Sequence, residues 1–325
     1  MKILVTGGLG FIGSNFIRLI FPTHTIVNID KMGIGSNPAN LTWLKDPGYK
    51  FVKGDIRDGE IVKSILPDID VVINFAAETH VDRSIKDPSS FIDNNILGTL
   101  SLLEAERKST HEIKHIQVST DETYGTCLNE PFKETDILDP SNPYSASKAA
   151  ADLLCKSYFR TYGLDVIITR CTNNFGPNQF PEKLIPKTII RAINNLKIPI
   201  YGSGQNIRDW IYVEDHCSAI ELLTKTGESG EVYNISSGNE CSNLSLCERT
   251  LDILKKPRNL IQLVADRPGH DMRYSLDSSK IRSLGWKPKY SFKEALKSTV
   301  EWYIANPEWW NPITTPEVLS EAPWK

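Results

Sequence analysis

The N-terminal half of the chain alternates short apolar runs with segments whose apolar residues recur at helical spacing. Six runs are predicted as β-strands: Lys2–Thr6, Thr25–Asp30, Lys50–Lys53, Asp70–Ala76, Lys114–Ser119 and Asp165–Arg170. Four segments are predicted as helices: Phe11–Phe21, Glu60–Leu66, Phe91–Lys108 and Ser145–Tyr162. This alternation is typical of a parallel, doubly wound α/β sheet, whose strands end at one ligand-binding edge.

The pattern changes after about residue 170, where Pro and Gly become frequent and interrupt the periodicity. This change predicts two lobes, residues 1–170 and a smaller, C-terminal lobe of residues 171–325. The segment 208–225 ends in a helical pattern and is expected to return to the first lobe.

The composition excludes some classes of partner. With 40% hydrophobic residues, 24% charged residues and a net charge of −3, the chain has no basic field to recruit nucleic acid or an anionic membrane. No apolar run approaches the roughly 20 residues that span a bilayer. Lys2–Thr6 is predicted as a strand rather than as part of a signal peptide. The six cysteines form no CxxC pattern, so we expect reduced thiols, no zinc site and a cytoplasmic protein.

A glycine-rich turn joins the first predicted strand to the first predicted helix. Gly8, Gly10 and Gly13 fit the spacing GxGxxG, while Gly7, Gly10 and Gly13 fit GxxGxxG. Either spacing allows a tight turn and lets a pyrophosphate approach the backbone at a helix N-terminus. The strand before and the helix after it favour a Rossmann-type dinucleotide site over a purely structural turn.

Residues at the ends of the next strands extend this site. Asp30 can accept hydrogen bonds from ribose hydroxyls and repel a 2′-phosphate, which favours NAD over NADP, although Lys31 follows it. Asp55 follows the third strand, where an acidic residue can meet the adenine amino group, or it simply starts a loop. Ala76 and Ala77 follow the fourth strand and leave room for a nicotinamide ribose, or serve as tight core packing.

Tyr144 and Lys148 are four residues apart on a helix predicted to begin at Pro143, so they share one helix face. A lysine ammonium beside a phenol favours the phenolate, so we expect it to lower the pKa of Tyr144 and make that residue a base. Such pairs also arise by chance on many helices. The preceding dinucleotide turn makes this pair a candidate for catalysis.

Three polar residues follow the fifth predicted strand. The hydroxyl of Thr120 can share a proton network with Tyr144, while Asp121 and Glu122 place two carboxylates where a substrate would lie. Adjacent like charges resist joint ionisation, so one carboxyl can act as an acid and the other as a base. A solvated acidic turn is the alternative. Hydride transfer alone does not need this pair, which therefore favours elimination of water.

With these motifs the chain resembles the extended short-chain dehydrogenase/reductase family and, within it, the NAD-dependent sugar-nucleotide 4,6-dehydratases. The resemblance extends from Met1 to about residue 306. It rests on residues 6–13 (TGGLGFIG), 76–84 (AAETHVDRS), 119–122 (STDE), 143–148 (PYSASK), 173–177 (NNFGP), 180–186 (FPEKLIP), 207–210 (IRDW), 212–215 (YVED) and 265–271 (ADRPGHD).

The resemblance implies a redox-neutral dehydration of dTDP-glucose. Tyr144 takes the proton of the 4-hydroxyl, Thr120 hydrogen-bonds the same oxygen, and bound NAD accepts the C4 hydride. Glu122 then removes the C5 proton, Asp121 protonates the departing 6-hydroxyl, and the hydride returns to C6. UDP- or CDP-glucose remains open as the substrate, since enzymes that recognise thymine, uracil or cytosine nucleotides share most of these motifs.

The site residues fall into two sets. The candidate cofactor-binding residues are Gly7, Gly10, Phe11, Ile12, Gly13, Asp30, Lys31, Asp55, Ile56, Phe75, Ala76, Ala77, Thr79, Asn94, Tyr144, Lys148 and Asn174. The candidate substrate-binding residues are Thr79, Thr120, Asn173, Lys183, Leu184, Pro199, Tyr201, Arg208, Asn243, Arg267 and His270. Among the second set, Arg208 and Arg267 suit the oxygens of a pyrophosphate, although either one can equally be a surface ion pair.

Two other classes of function stay open. A UDP-sugar epimerase or a UDP-glucuronate decarboxylase uses the Tyr/Lys pair and NAD but does not need Asp121 and Glu122. A regulatory NAD-binding protein without turnover needs none of these side chains. The family resemblance also implies a homodimer joined by a four-helix bundle of Phe91–Lys108 and Ser145–Tyr162, in which Leu100, Leu103, Leu153 and Leu154 either face the partner or serve as core.

Overall fold

The computed structural model describes residues 1–321. Its strands are β1 (Lys2–Thr6), β2 (Thr25–Asp30), β3 (Tyr49–Lys53), β4 (Val71–Asn74), β5 (Lys114–Thr120), β6 (Val166–Cys171), β7 (Asn173–Phe175), β8 (Ile198–Tyr201), β9 (Ile207–Tyr212), β10 (Val232–Ile235), β11 (Glu240–Ser242) and β12 (Ile261–Val264). Its helices are α1 (Phe11–Ile20), α2 (Gly59–Ile65), α3 (Val81–Lys86), α4 (Pro88–Phe91), α5 (Gly98–Arg107), α6 (Pro143–Tyr162), α7 (Leu184–Ile193), α8 (Val213–Thr226), α9 (Asn243–Leu254), α10 (Ser279–Ser283), α11 (Phe292–Ala305) and α12 (Pro307–Trp310).

Seven strands form one parallel sheet in the order β10-β6-β5-β4-β1-β2-β3. Its central strands are apolar on both faces because helices cover both, and Ile3, Leu4 and Val5 of β1 are at most 1% exposed. All the carboxyl ends lie at one edge, as the alternating pattern predicted. The Rossmann-type α/β fold class is thereby confirmed.

Two small sheets belong to the C-terminal part of the chain. One has the order β11-β9-β7 and the other pairs β12 with β8. A separate apolar core lies beneath them, built around α7, α9 and α11, with Trp309 and Trp310 packed into it. This lobe stands beside the carboxyl edge of the large sheet, since β7 follows β6 after one residue.

The chain returns from the smaller lobe to the large sheet. Helix α8 packs against α1, with Cys217, Ile220 and Leu223 buried in the same core as Phe16 and Ile17. Strand β10 then pairs with β6 in parallel and becomes an edge of the sheet. The predicted return segment ended at residue 225 and did not include β10. The division near residue 170 stays a prediction.

The predicted helix Phe91–Lys108 is interrupted. A π-helical segment, Ile92–Leu97, separates α4 from α5. It turns Asn95 inward, where the amide donates to the carbonyl oxygen of Glu78 at 3.0 Å and to Ser147 Oγ at 2.8 Å. Such local widening of a helix is frequent at functional sites, and periodicity alone does not reveal it.

Helix α6 begins and ends where its sequence signals lie. The side chain of Asn142 accepts from Ser145 N at 3.0 Å, Pro143 occupies the first position, and Gly163 closes the helix at φ +73°. This fixed start places Tyr144 in the first turn. Within residues 1–321, none of the helices combines the length and apolar character required to cross a membrane.

Candidate active site

The glycine-rich turn connects β1 to α1 in a geometry that leaves no room for a side chain at Gly7, Gly8 or Gly13. Gly7 has φ +67°, and a Cβ on Gly13 would lie 2.5 Å from the carbonyl oxygen of Gly7. Gly10 donates its N–H to that same oxygen at 3.0 Å. Gly7, Gly10 and Gly13 face the large cavity, whereas Gly8 packs on Asn28, so the structure selects the GxxGxxG spacing.

Asp30 fastens the turn to the loop after β2. Its Oδ2 accepts from Leu9 N at 3.0 Å, and its Oδ1 accepts from Met32 N at 2.7 Å and Ser36 Oγ at 2.8 Å. The side chain is buried and still lines the cavity. Asp30 therefore shapes the loop as well as offering a carboxylate to a ligand, a second role that its position in the sequence did not suggest.

The neighbouring charges at this end of the cavity are partnered. Lys31 Nζ donates to Asn94 Oδ1 at 2.6 Å and Glu78 Oε1 at 3.2 Å. Asp55 accepts from Arg57 Nη2 at 2.8 Å. The ammonium of Lys31 is thus directed away from Asp30, so it does not neutralise the carboxylate that would reject a 2′-phosphate.

One cavity holds most of the predicted site. It has about 1550 Å³ of empty space, part of it open to solvent, and extends from the glycine-rich turn along the carboxyl ends of the central strands. Every candidate cofactor-binding residue and all five candidate catalytic residues line it. Of the substrate candidates, Thr79, Thr120, Asn173 and Lys183 line it, while seven others lie outside its lining: Leu184, Pro199, Tyr201, Arg208, Asn243, Arg267 and His270.

Tyr144 is buried at the floor of this cavity, with its ring edge-on to Phe91 at 6.2 Å between centroids. Burial, followed by the Glu122 carboxylate, raises the pKa of Tyr144 well above its usual value, and the hydrogen bond with Thr120 lowers it only in part. This is the reverse of the predicted lowering. Lys148 Nζ donates to the carbonyl oxygen of Val118 at 2.7 Å, and burial remains the largest influence on the pKa of the Tyr144 phenol.

Asp121 and Glu122 begin a short 3-10 turn after β5. Burial and then the charge of Glu122 raise the pKa of Asp121 well above its usual range. Burial also raises the pKa of Glu122, but Arg267, Arg208 and Lys183 counteract it. Asp121 therefore holds its proton more strongly than Glu122 does, and their roles as acid and base stay a prediction.

Asp121 is also placed to act on a ligand. Its Oδ1 accepts from Thr120 Oγ1 at 3.1 Å, whereas its Oδ2 is buried and has no hydrogen-bond partner within the described residues. An unpaired buried carboxyl atom facing a cavity costs free energy unless a ligand uses it. This atom therefore points to a bound molecule with a polar group at this place.

Cations from the smaller lobe surround the carboxylate of Glu122. Arg208 lies over the ring of Tyr274 at 4.0 Å, and Tyr274 Oη donates to Glu122 Oε2 at 3.4 Å. Lys183 Nζ donates to the carbonyl oxygen of Thr79 at 2.7 Å. Arg208 and Lys183, with Arg267, are thus close enough to influence a ligand at Glu122, including the two arginines outside the cavity lining.

Asp82 of α3 was not predicted from the sequence, yet it organises two of the substrate candidates. It accepts from Arg267 Nη1 at 3.0 Å and from Tyr201 Oη at 2.9 Å. Beside them, His270 contacts Asp266 at 2.6 Å, and burial lowers the pKa of His270 to about 4. His270 is therefore neutral near pH 7 and offers a hydrogen bond rather than a charge.

The remaining substrate candidates are distributed over the smaller lobe. Leu184 begins α7, Pro199 lies in β8, and Asn243 begins α9 with a buried Oδ1 that has no partner in residues 1–321. Next to the cavity, Asn174 Oδ1 bonds with His216 Nδ1 at 2.9 Å. Burial lowers the pKa of His216 to about 3, so a neutral imidazole donates this bond and fixes the amide.

Comparison with known proteins extends over nearly the full chain. The family model described as GDP-mannose 4,6 dehydratase matches residues 4–299. The low-salt glycan biosynthesis protein Agl12 of Haloferax volcanii is 47% identical over 311 residues, which cover 95% of this chain and all of that protein. The dTDP-glucose 4,6-dehydratase of Streptomyces niveus is 45% identical over 333 residues, with 99% and 98% covered.

A solved structure agrees with these sequences. The crystal structure of DesIV, a dTDP-glucose 4,6-dehydratase from Streptomyces venezuelae with NAD bound, superposes with a TM-score of 0.94 at 44% identity, covering 97% of this chain and all of that one. The resemblance noted in the sequence is confirmed. The chain belongs to the GDP-mannose 4,6 dehydratase family, together with these dTDP-glucose 4,6-dehydratases.

Proposed function

We propose that the protein is a dTDP-glucose 4,6-dehydratase that converts dTDP-glucose to dTDP-4-dehydro-6-deoxy-glucose and water with bound NAD. The observation that carries the reaction type is the buried pair Asp121 and Glu122, whose two carboxyl groups differ in their hold on a proton. An acid and a base beside Tyr144 are what an elimination needs and an epimerisation does not. The choice of dTDP-glucose follows the curated relatives named dTDP-glucose 4,6-dehydratase, which are 43–45% identical.

The cavity residues fit a dinucleotide. A Cβ at Gly7 or Gly13 would intrude on the narrow turn, so backbone N–H groups at the start of α1 stay open to a pyrophosphate. Asp30 would accept from the adenosine ribose, while Tyr144 and Lys148 lie at the opposite end of the lining. When bound, NAD supplies a hydride acceptor for C4 and a hydride donor for C6.

Oxidation at C4 requires a base at the 4-hydroxyl. Tyr144 and Thr120 would hold this oxygen between them, and Tyr144 would take its proton. Tyr144 lies at the second position of α6, where the positive end of the helix dipole favours a phenolate. The Lys148 ammonium adds to this effect.

Elimination then follows at C5 and C6. The 4-keto group makes the C5 proton acidic, and Glu122 would take it because Glu122 ionises more readily than its neighbour. Asp121 would hand its proton to the departing 6-hydroxyl, since it is the carboxyl that stays protonated. After hydride returns to C6, Glu122 gives its proton back to C5.

The substrate's diphosphate would lie among the cations of the smaller lobe. Lys183, Arg208 and Arg267 provide three positive charges near Glu122, and the planar guanidinium groups suit pairs of phosphate oxygens. Asn173 and Asn243 have buried amide oxygens without a partner in the described chain, which could accept from sugar or base groups.

The assembly proposed from the family resemblance is a homodimer joined by a four-helix bundle. Ile92, Leu97, Leu153 and Tyr162 from the two helical segments are 44–58% exposed, and this unpaired apolar surface supports such an interface. Leu103 is fully buried within its own subunit and belongs to the core instead. We propose that this dimer acts in the cytoplasm, where cysteines stay reduced, since all six cysteines of the chain are free.

The test is turnover by the purified protein without added NAD. It would be offered dTDP-, UDP-, CDP- and GDP-glucose separately, with products read by mass, and Tyr144→Phe as the inactive control. Loss of one water from dTDP-glucose is expected. Water loss from another sugar nucleotide would keep the mechanism and change the substrate, and a new epimer of unchanged mass would refute dehydration.

A further inference from the structure

A buried ion pair lies one helical turn beneath Lys148. Asp152 follows Lys148 by four residues on α6, so the two side chains share a helix face. Arg170 of β6 donates from Nε to Asp152 Oδ2 at 2.9 Å, and neither side chain is more than 1% exposed. The residues assigned to the reaction do not include either member of this pair.

The same guanidinium also contacts the turn that carries the active-site carboxylates. Arg170 Nη1 donates to Tyr124 Oη at 2.7 Å, and the guanidinium carbon lies 4.7 Å from the centre of that ring. Tyr124 is the last residue of the turn Asp121–Tyr124. Arg170 thus joins the helix face of the Tyr/Lys pair to the turn that holds the acid and the base.

Asp152 and Arg170 each keep one polar atom that makes no hydrogen bond within the described residues. Asp152 Oδ1 and Arg170 Nη2 are buried and have no hydrogen-bond partner in the part of the chain that the structure describes. A buried carboxylate costs free energy unless its charge is compensated. Arg170 compensates one side of Asp152, and the remaining side is free to act on a second cation.

Lys148 is the candidate for that cation, because it lies one helical turn away on the same face of α6. The groups that face it are Asp152 and Cys155 on α6 and Cys171 on β6. Burial raises the pKa of Cys171 to about 12 and also raises that of Cys155, so both thiols are uncharged near neutral pH. Asp152 therefore supplies the negative charge that opposes the lowering of the Lys148 pKa by burial.

We propose that Asp152, held by Arg170, is a positioning residue that keeps the Lys148 ammonium charged on the helix face that carries Tyr144. The catalytic meaning of this inference rests on the proposed function. Tyr144 already faces the unfavourable charges of Asp121 and Glu122, besides the sulfur of Cys171. Without Asp152, a fully buried lysine would lose its proton more easily, and a phenolate at Tyr144 would lose the positive charge on its helix face.

The first variant is Asp152→Asn, which keeps an oxygen for Arg170 and removes the charge. Loss of this charge lowers the pKa of Lys148 and raises that of Tyr144, so the pH profile of C4 oxidation, followed as NADH absorbance in single turnovers, narrows from both sides. We expect each limb to move by about one pH unit, with C4 oxidation about 10-fold slower on the acid limb. Asp152→Glu is expected to restore the wild-type profile.

A purely structural role would give a different pattern. Asp152→Asn leaves the buried charge of Arg170 uncompensated, so the double variant Asp152→Asn/Arg170→Gln removes both charges and is expected to recover melting temperature relative to the single variant. Its pH profile should stay narrow. A double variant that regains both the melting temperature and the wild-type profile would show that the pair serves folding alone and would overturn the proposal.

A direct measurement separates this inference from the proposed function. Protein labelled with carbon-13 at the lysine ε-carbon reports the titration of each lysine by NMR, and Lys148→Met identifies the Lys148 signal. We expect Lys148 to titrate at lower pH in Asp152→Asn than in the wild type. An equal pKa of Lys148 in the two proteins would overturn the inference, even if the enzyme dehydrates dTDP-glucose. A lower pKa of Lys148 in Asp152→Asn would support it, even if the substrate is another compound.

Discussion

Arg267 Nη1 donates to Asp82 Oδ1 at 3.0 Å, and this ion pair joins the smaller lobe to helix α3 beside the large sheet. The same guanidinium is the strongest of the cations that lower the pKa of Glu122. Its Nε is buried and unpartnered within residues 1–321. In the proposed function, Arg267 would therefore connect the binding of an anionic substrate to the protonation of the proposed base.

Replacing Arg267 by Lys keeps the charge and removes the planar fork. We expect KM for dTDP-glucose to rise about 10-fold, because a point charge cannot bind two phosphate oxygens side by side. Steady-state kinetics would measure it. Arg273→Lys is the matched control, since Arg273 pairs with Glu240 and takes no part in the proposed site. Equal effects of the two changes would contradict a role of Arg267 in substrate binding.

Glu122 and Asp121 should be separable by isotope exchange in deuterated water. Glu122→Gln is expected to abolish deuterium incorporation at C5, whereas Asp121→Asn should still exchange C5 and fail to expel the 6-hydroxyl. Each change is expected to lower kcat by about 10²–10⁴-fold, the usual contribution of a general acid or base. Mass spectrometry of product and recovered substrate reads both effects. Wild-type exchange in Glu122→Gln would refute its role as the base.

The pH dependence of turnover follows from the same two carboxyl groups. Glu122 must be ionised to act as the base. Burial raises its pKa above the usual 4.5, so the rate falls as the pH drops through this raised pKa. Asp121 must be protonated, and its pKa is raised well above 3.8, so the rate falls as pH rises through the higher value. A kcat profile over pH should be bell-shaped, and in Asp121→Asn the residual activity should lose the alkaline limb that belongs to this residue.

Gly13→Ala tests the glycine-rich turn. The added Cβ would lie 2.5 Å from the carbonyl oxygen of Gly7, so the turn must open and the start of α1 must move. We expect loss of co-purifying NAD, and a midpoint of thermal unfolding lower than in the wild type. Gly59→Ala is the control, because its Cβ would meet only Ser101 Oγ at 3.8 Å. Retention of NAD by Gly13→Ala would argue against the proposed pyrophosphate site.

Much of the site could be read from local sequence because its pieces lie within short segments. The strands fix where the chain reaches the carboxyl edge, so Gly7, Asp30, Ala76 and Thr120 had to meet there once the sheet was parallel. The four-residue spacing of Tyr144 and Lys148 needed only a helix that starts at Pro143. Hydrophobic periodicity and caps encode such features within about ten residues.

Long-range packing decided the rest. The pairing of β10 with β6, the ion pair between Asp82 and Arg267 and the contact between Asp152 and Arg170 join residues that the sequence keeps apart. No local pattern specifies which buried charge meets which partner.

The pKa values of the active-site groups also depend on long-range packing. The sequence determined that Tyr144 and Lys148 share a helix face, but the depth of burial and the approach of the Glu122 carboxylate reversed the expected shift of the Tyr144 pKa. A helix face follows from the spacing of residues along the chain. A pKa depends on solvent exclusion and on charges from several elements, which exist only once the sheet, the 3-10 turn and the smaller lobe have packed together.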